Sequence, residues 1–125
     1  MLLKTYARLW VDDLAASLPL LRRLTGEEPT LRFAFDAIEL ATVGDFLVIA
    51  GPEAERARYA HASATVVVSD LDAVVAALLA EGGEVTQPVA AGPTGRFLYA
   101  RHAGGARVEY VEWNEETRRR VLGRG

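Results

Sequence analysis

Side chains suited to binding a small molecule alternate with small aliphatic ones along the first predicted strand. In YARLWV the two alternating sets are Tyr6, Arg8 and Trp10 against Ala7, Leu9 and Val11. Because successive side chains of a strand point to opposite faces of the sheet, the two sets lie on different faces. The aliphatic face suits packing under a helix. The other face, with its aromatic and hydrogen-bonding groups, suits the wall of a ligand cavity.

The same division recurs in two later segments, HASATVVV at residues 61–68 and ARVEYVEW at residues 106–113. Their polar or aromatic sets are His61, Ser63, Thr65 and Val67 in one, and Arg107, Glu109, Val111 and Trp113 in the other. Aromatic rings stack favourably on flat ligands, although Trp10 and Trp113 equally suit a core or a dimer interface. A sheet that curls around this face would form a pocket with aromatic walls and a few polar anchors.

Glu109 is the candidate acid–base group. A buried carboxyl without a cation beside it has a raised pKa and can accept or donate a proton. Arg8 needs a partner if it is buried in a strand, and Glu109 is the obvious one. The pair could be structural, or it could anchor a ligand. We expect His61 to lie at the surface where a strand begins, and His102 to be exposed in the HAGG turn.

The segments that position these side chains occur twice. VDDLAASLPLLRRLTG begins at Val11 and VSDLDAVVAALLAEGG begins at Val68, an offset of 68 − 11 = 57 residues. Each copy predicts a strand that leads into a helix, with Asp13 or Asp70 as the N-cap because its carboxylate can accept the first amide protons. The predicted buried helix positions are Leu14, Leu18 and Leu21 in one copy, and Leu71, Val75 and Leu78 in the other. Pro19 predicts a bend or a short first helix.

Three short strands are predicted after each helix, so each half reads β-α-β-β-β. We expect strands near residues 4–11, 29–35, 37–43, 45–50, 61–68, 84–89, 96–102 and 106–113. The fold class is α+β, with two paired modules that form a curved, mostly antiparallel sheet around a cleft. One domain of 125 residues then holds modules at about 4–51 and 60–113, a linker at 51–59 and a short C-terminal helix at about 114–122.

Composition limits the possible functions. Half of the 125 residues are apolar and 25% are charged, as in ordinary globular domains. There is no cysteine, which excludes thiolate chemistry and disulfides. A net charge of −3 gives no general attraction to nucleic acid. The sequence has neither a signal peptide nor a stretch that could span a membrane, so we expect a cytoplasmic protein without nucleic-acid or membrane partners.

The paired modules, the VDDL and VSDLD turns and the G-x-x-x-E sequence that ends at Glu109 resemble the vicinal oxygen chelate superfamily. That superfamily includes glyoxalase I, extradiol dioxygenases, and fosfomycin- and bleomycin-resistance proteins. The resemblance covers residues 4–113. It implies the paired-module fold and a homodimer, but it leaves the activity open because one fold hosts many functions.

In the metal-dependent members, ligands come from the first and last strand of each module. The resemblance carries these positions over to Tyr6, Val48, Ser63 and Glu109. Only Glu109 is a good ligand for a divalent metal. His61 lies two residues before Ser63, roughly 6.5–7 Å along a strand, so it could not take the place of Ser63 without remodelling. The resemblance therefore favours the branch without metal, and we expect no cofactor.

The sequence predicts a metal-free protein that holds an aromatic or amphipathic small molecule in the cleft, as bleomycin-resistance-type proteins do. The predicted lining is Tyr6, Arg8, Trp10, Phe46, Val48, Ser63, Thr65, Glu109 and Trp113. An alternative is a lyase, isomerase or dioxygenase with an atypical site built on Glu109, with Tyr6 and His61 as helpers. A third possibility is a structural or regulatory module whose cavity has lost its function.

Overall fold

The computed structural model describes residues 1–123 and divides into two compact units. The N-terminal unit is Tyr6–His61, and the C-terminal unit combines Met1–Thr5 with the described chain from Ala62 onward. The elements in chain order are β1 (Leu2–Val11), α1 (Leu14–Thr25), β2 (Leu31–Phe35), β3 (Ile38–Val43), β4 (Phe46–Ala50), α2 (Glu53–Ala57), β5 (Ala64–Val68), α3 (Leu71–Ala80), β6 (Glu84–Gly92), β7 (Gly95–Arg101), β8 (Arg107–Trp113) and α4 (Glu115–Leu122).

The strands of the N-terminal unit follow the order β2-β3-β4-β1. The β2–β3 and β3–β4 pairs are antiparallel, whereas β4 runs parallel to the Ala7–Val11 part of β1. Helix α1 buries Leu14, Leu18 and Leu21 against this sheet, as the spacing predicts. Pro19 lies inside α1, which runs unbroken from Leu14 to Thr25, so the predicted shortening does not occur.

The C-terminal unit repeats this pattern with the order β5-β8-β7-β6. Here β5 runs parallel to β8, and the β6–β7 and β7–β8 pairs are antiparallel. Helix α3 buries Leu71, Val74 and Leu78. Val74 takes the position predicted for Val75, which is only partly buried at the edge of the same cluster.

The two equivalent N-cap aspartates behave differently. Asp70 accepts hydrogen bonds from the amides of Asp72 and Ala73, at 2.9 and 3.3 Å, and so satisfies two amide protons of the first turn of α3. Glu112 accepts a third, from the amide of Leu71 at 2.9 Å. Asp13 makes no side-chain capping bond, so the capping prediction holds for α3 and is wrong for α1.

The predicted fold class is confirmed: α+β, with two β-α-β-β-β modules and mostly antiparallel strand pairs. Each strand boundary lies within three residues of the prediction. The segment predicted as a linker differs, because it contains the short helix α2. Within residues 1–123, no helix is long and apolar enough to cross a membrane.

Gly95 begins β7 opposite Trp113 with a φ of +148°, a conformation that L side chains rarely adopt. A Cβ at this position would collide with the carbonyl oxygen of Glu112 and lie 2.8 Å from the amide nitrogen of Asn114. We expect Gly95→Ala to lower the free energy of unfolding by about 2–3 kcal/mol or more in urea denaturation.

Gly104→Ala is the matched control. A Cβ on Gly104 meets nothing within 4 Å, so its stability should change by less than about 1 kcal/mol. Equal stability of the two variants would contradict the steric argument for Gly95.

Candidate functional site

The two faces of the N-terminal sheet differ in what covers them. Leu9 pairs with Val48, and Val48 lies in the apolar cluster under α1 with Phe46 packed against it. Arg8 and Trp10 alternate with Leu9 and therefore lie on the opposite face. Phe46 and Val48, which were predicted to line the ligand cavity, thus do not share a face with Arg8 and Trp10.

Strand pairing also corrects the predicted equivalence of positions between the modules. Thr65 of β5 pairs with Glu109 of β8, and the equivalent residue Arg8 of β1 pairs with Leu47 of β4. The counterpart of Glu109 is therefore Leu47, not Val48. The error is a single residue, but one residue moves a side chain to the other face of a strand.

Arg8 is half-buried and its contacts hold it in one position. Its Nη1 donates a hydrogen bond to the carbonyl oxygen of Tyr59 at 2.7 Å. Its guanidinium carbon lies 5.8 Å from the centroid of the Trp10 ring, within the range of a cation–π interaction. The predicted Arg8–Glu109 pair stays a prediction.

Tyr59 lies in the segment that was predicted as a linker, and sequence reasoning missed its role. Its hydroxyl donates to Oδ2 of Asp36 at 2.7 Å, and its ring lies 6.3 Å from that of Phe35. Asp36 has a φ of +53° in the turn between β2 and β3. These contacts attach the chain after α2 to the β2–β3 turn. The only signal in the sequence was a tyrosine within an otherwise polar linker.

Tyr6 is 2% exposed, at the end of the predicted cavity face nearest the N-terminus. Burial raises the pKa of its phenol to about 12. A hydrogen bond with Thr42 works in the opposite direction, and the charge of Asp45 adds to the rise. The phenol therefore keeps its proton at ordinary pH.

In the C-terminal unit, Glu109 and Thr65 form a defined polar pair. The hydroxyl of Thr65 donates to Oε1 of Glu109 at 2.8 Å, and Thr65 is only 5% exposed. Val66 and Val108, their chain neighbours, pack in the cluster with α3. The pair therefore faces away from α3, on a face where a hydrogen-bonded carboxylate is half-buried.

Aromatic side chains surround this pair. Tyr99 pairs with Glu109 across the β7–β8 ladder and therefore shares its face. Phe97 meets Tyr99 edge to face, with ring centroids 6.2 Å apart. Trp113 follows on the same face of β8, opposite Gly95, which has no side chain. Phe97 and Tyr99 are absent from the predicted lining. They lie in β7, a middle strand of the module, whereas the alternating pattern predicted faces only for first and last strands.

The remaining predicted residues, Ser63, His61 and His102, lie outside the Thr65–Glu109 pair and its aromatic neighbours. Ser63 is exposed before β5 begins, and its amide donates to the carbonyl of Arg107 at 2.9 Å. His61 is exposed, as expected. His102 was expected to be exposed, but it is half-buried and its Nε2 lies 2.6 Å from the hydroxyl of Tyr110. Among residues 1–123, no three His, Cys, Asp or Glu side chains are grouped closely enough to hold a metal ion.

Solved structures with the same fold were found, whereas no protein-family model and no curated protein matches the chain. An uncharacterised protein from Methanosarcina mazei is 31% identical, with a TM-score of 0.86 over 92% of this chain and 95% of that one. Methylmalonyl-CoA epimerase from Mycobacterium tuberculosis is 19% identical, with a TM-score of 0.68 over 89% and 87% of the chains. A variant of the Streptomyces coelicolor epimerase, bound to 2-nitronate-propionyl-CoA, is 16% identical, with a TM-score of 0.69 over 92% and 97%.

The raised pKa of Tyr6 predicts how stability depends on alkaline pH. The unfolded chain releases the phenolic proton near the ordinary tyrosine pKa of 10.0, whereas the folded chain keeps it up to a pKa of about 12. The folded state thus binds more protons between these values, and its stability should fall as pH rises through this window, by roughly 2 kcal/mol. Urea denaturation at pH 8, 10 and 12 measures the decline.

Tyr6→Phe is the test variant, because it keeps the buried ring and removes the ionisable group. Its stability should fall less steeply above pH 10 than that of the native chain. The same slope in both proteins would show that Tyr6 does not cause the decline.

Proposed function

We propose that the chain is a member of the vicinal oxygen chelate superfamily, which its sequence resembles, and that it binds an aromatic or amphipathic small molecule without a metal. The observation that carries the proposal is the Thr65–Glu109 pair, joined at 2.8 Å, with Tyr99 directly opposite Glu109 and with Phe97 and Trp113 further along the same face. Apolar walls with a few oriented polar groups are the usual composition of small-molecule sites.

The carboxylate determines which ligands fit. The hydroxyl of Thr65 donates to Oε1 of Glu109 and so fixes the orientation of the carboxylate. A ligand that brings N–H or O–H donors, or a cationic edge, can bond to the same group, and hydrogen bonds to charged groups are stronger than neutral ones. The rings of Tyr99 and Trp113 provide stacking surface for its flat part.

In the N-terminal unit, the face that bears Tyr6, Arg8 and Trp10 supports the same kind of ligand. The carbonyl of Tyr59 and the ring of Trp10 orient the Arg8 guanidinium, so little side-chain entropy remains to be lost when a ligand binds. Phe46 and Val48 are not part of the proposed site, because they pack under α1. Ser63 stays a candidate at its margin.

A matched pair of probes tests the proposal. We expect 2-aminoquinoline, which is flat and in its ring-protonated form presents two parallel N–H donors to a carboxylate, to bind and quench tryptophan fluorescence. We expect 2-methylquinoline, which has the same shape without those donors, to bind more weakly. Glu109→Gln should weaken 2-aminoquinoline by about tenfold or more, since hydrogen bonds to charged groups contribute roughly 1.5–3 kcal/mol. Thr65→Val should weaken it less.

Glu116→Gln is the control, because Glu116 is exposed in the first turn of α4. Equal binding of both probes by the native chain and by Glu109→Gln would contradict the proposed anchor.

Elemental analysis and titration with zinc, nickel, manganese and ferrous iron test the proposed absence of a metal. Stoichiometric metal that is lost in Glu109→Ala would overturn the metal-free proposal and favour the enzyme built on Glu109.

We also propose a homodimer. Strand β6 ends the strand order of the C-terminal unit, most of its residues are exposed, and Val89 on it is 42% exposed. An exposed strand edge favours pairing with another chain. Light scattering at tens of micromolar should give the mass of two 13.6 kDa chains. Val89→Lys should raise the monomer fraction, and a single-chain mass for the native protein would contradict the proposal.

A further inference from the structure

A cavity of about 440 Å³ lies on the α3 side of the C-terminal unit. Its volume falls within the range of small-molecule sites. Its lining includes Leu2 of β1, Val74, Ala77 and Leu78 of α3, Gly104 of the β7–β8 turn, and Tyr110 of β8. Tyr110 follows Glu109 directly, so its side chain lies on the opposite face of β8 from the Thr65–Glu109 pair. This cavity is therefore separate from the site proposed above.

Two glycines belong to the cavity lining. Gly83 follows α3, where a Cβ would lie 2.9 Å from the carbonyl oxygen of Arg101 and 3.3 Å from Leu78, so this position is tightly packed. Gly104 is in the turn, where a Cβ would meet nothing within 4 Å, so a side chain at this position would enter open space.

Most of the wall is apolar, with one polar pair in it. His102 Nε2 and the hydroxyl oxygen of Tyr110 are 2.6 Å apart, and the two rings stack with centroids separated by 6.0 Å. Burial raises the pKa of Tyr110, so its phenol stays protonated at neutral pH. The pair offers a polar end to an otherwise apolar ligand.

The chemistry of this pair selects a hydroxyl group. If the Tyr110 hydroxyl donates to His102, its oxygen can accept a hydrogen bond from a ligand. If His102 donates instead, the Tyr110 hydroxyl can donate to a ligand. A ligand hydroxyl satisfies either arrangement, because it both donates and accepts. The side chains of the described lining include no Lys or Arg, and Glu81 contributes a carboxylate, so these side chains favour an uncharged ligand over an anionic one.

Exposed apolar side chains lie at the cavity. Met1 and Leu2 are 57% and 63% exposed and both belong to the lining. An aliphatic chain in the cavity would cover them and remove apolar surface from water, which favours binding. We propose that this cavity is a second binding site, which takes an uncharged aliphatic alcohol with its hydroxyl at the His102–Tyr110 pair.

The test is a titration of the full chain with 1-heptanol, followed by amide chemical shifts in NMR spectra. We expect saturable shifts at the end of α3 and in the β7–β8 turn. Tyr110→Phe should weaken binding roughly two- to tenfold, the effect of one lost hydrogen bond. Ala77→Trp should weaken it by at least about tenfold, because the indole displaces two or more methylenes of the probe.

Ala76→Trp is the matched control. Ala76 and Ala77 are both exposed on α3, but only Ala77 lines the cavity, so Ala76→Trp should bind heptanol like the native chain. Gly104→Leu is a second blocking variant should Ala77→Trp fail to fold. Glu109→Gln should also bind heptanol normally, which separates this site from the proposed function.

Three results would overturn the inference. The first is an absence of saturable shifts. The second is unchanged affinity in Tyr110→Phe or in the blocking variants. The third is a loss of affinity in Ala76→Trp equal to that in Ala77→Trp, which would mean that the helix, not the cavity, carries the effect.

Discussion

The parallel pairing of the first and last strand in each module is the constraint on which the candidate sites depend. It sets Thr65 beside Glu109 in one unit and Arg8 beside Leu47 in the other. Because side chains alternate, this register decides which groups meet on the face away from the helices and which join the core. A shift of one residue would move Glu109 into the apolar cluster under α3 and bring Val108 or Tyr110 to the opposite face.

The Glu109 carboxylate illustrates how the sheet face away from α3 can hold a half-buried charged group. A half-buried carboxylate loses hydration, and the hydroxyl of Thr65 compensates with one hydrogen bond at 2.8 Å. Glu112, three residues further along β8, has a structural role. Its Oε1 accepts a hydrogen bond from the amide of Leu71 at 2.9 Å, and its Oε2 accepts one from Nη2 of Arg96 at 2.9 Å. The same residue type in the same strand thus stabilises a helix start on one face and offers an acceptor on the other.

Periodicity explains what could be predicted from the sequence. The repeat at an offset of 57 residues predicts both modules, because helices and strands leave different hydrophobic periods. The register between two strands produces no periodic pattern in the sequence. The sequence therefore predicted Val48 as the counterpart of Glu109, where the structure has Leu47, and placed Phe46 on the wrong face. Contacts between distant segments were equally hidden: Tyr59 bonds Asp36, 23 residues away, and His102 meets Tyr110.

Alternation along β8 also explains how one strand can contribute to both proposed ligand-binding surfaces. Glu109 and Tyr110 are adjacent, yet their side chains lie on opposite faces of β8, a strand that is paired on both sides, to β5 and to β7. A ligand at Tyr110 would contact α3 and the β7–β8 turn, whereas a ligand at Glu109 would contact Phe97 and Tyr99. Any coupling between the two surfaces must pass through the backbone of β8, which its paired neighbours hold in place, so the surfaces should act independently.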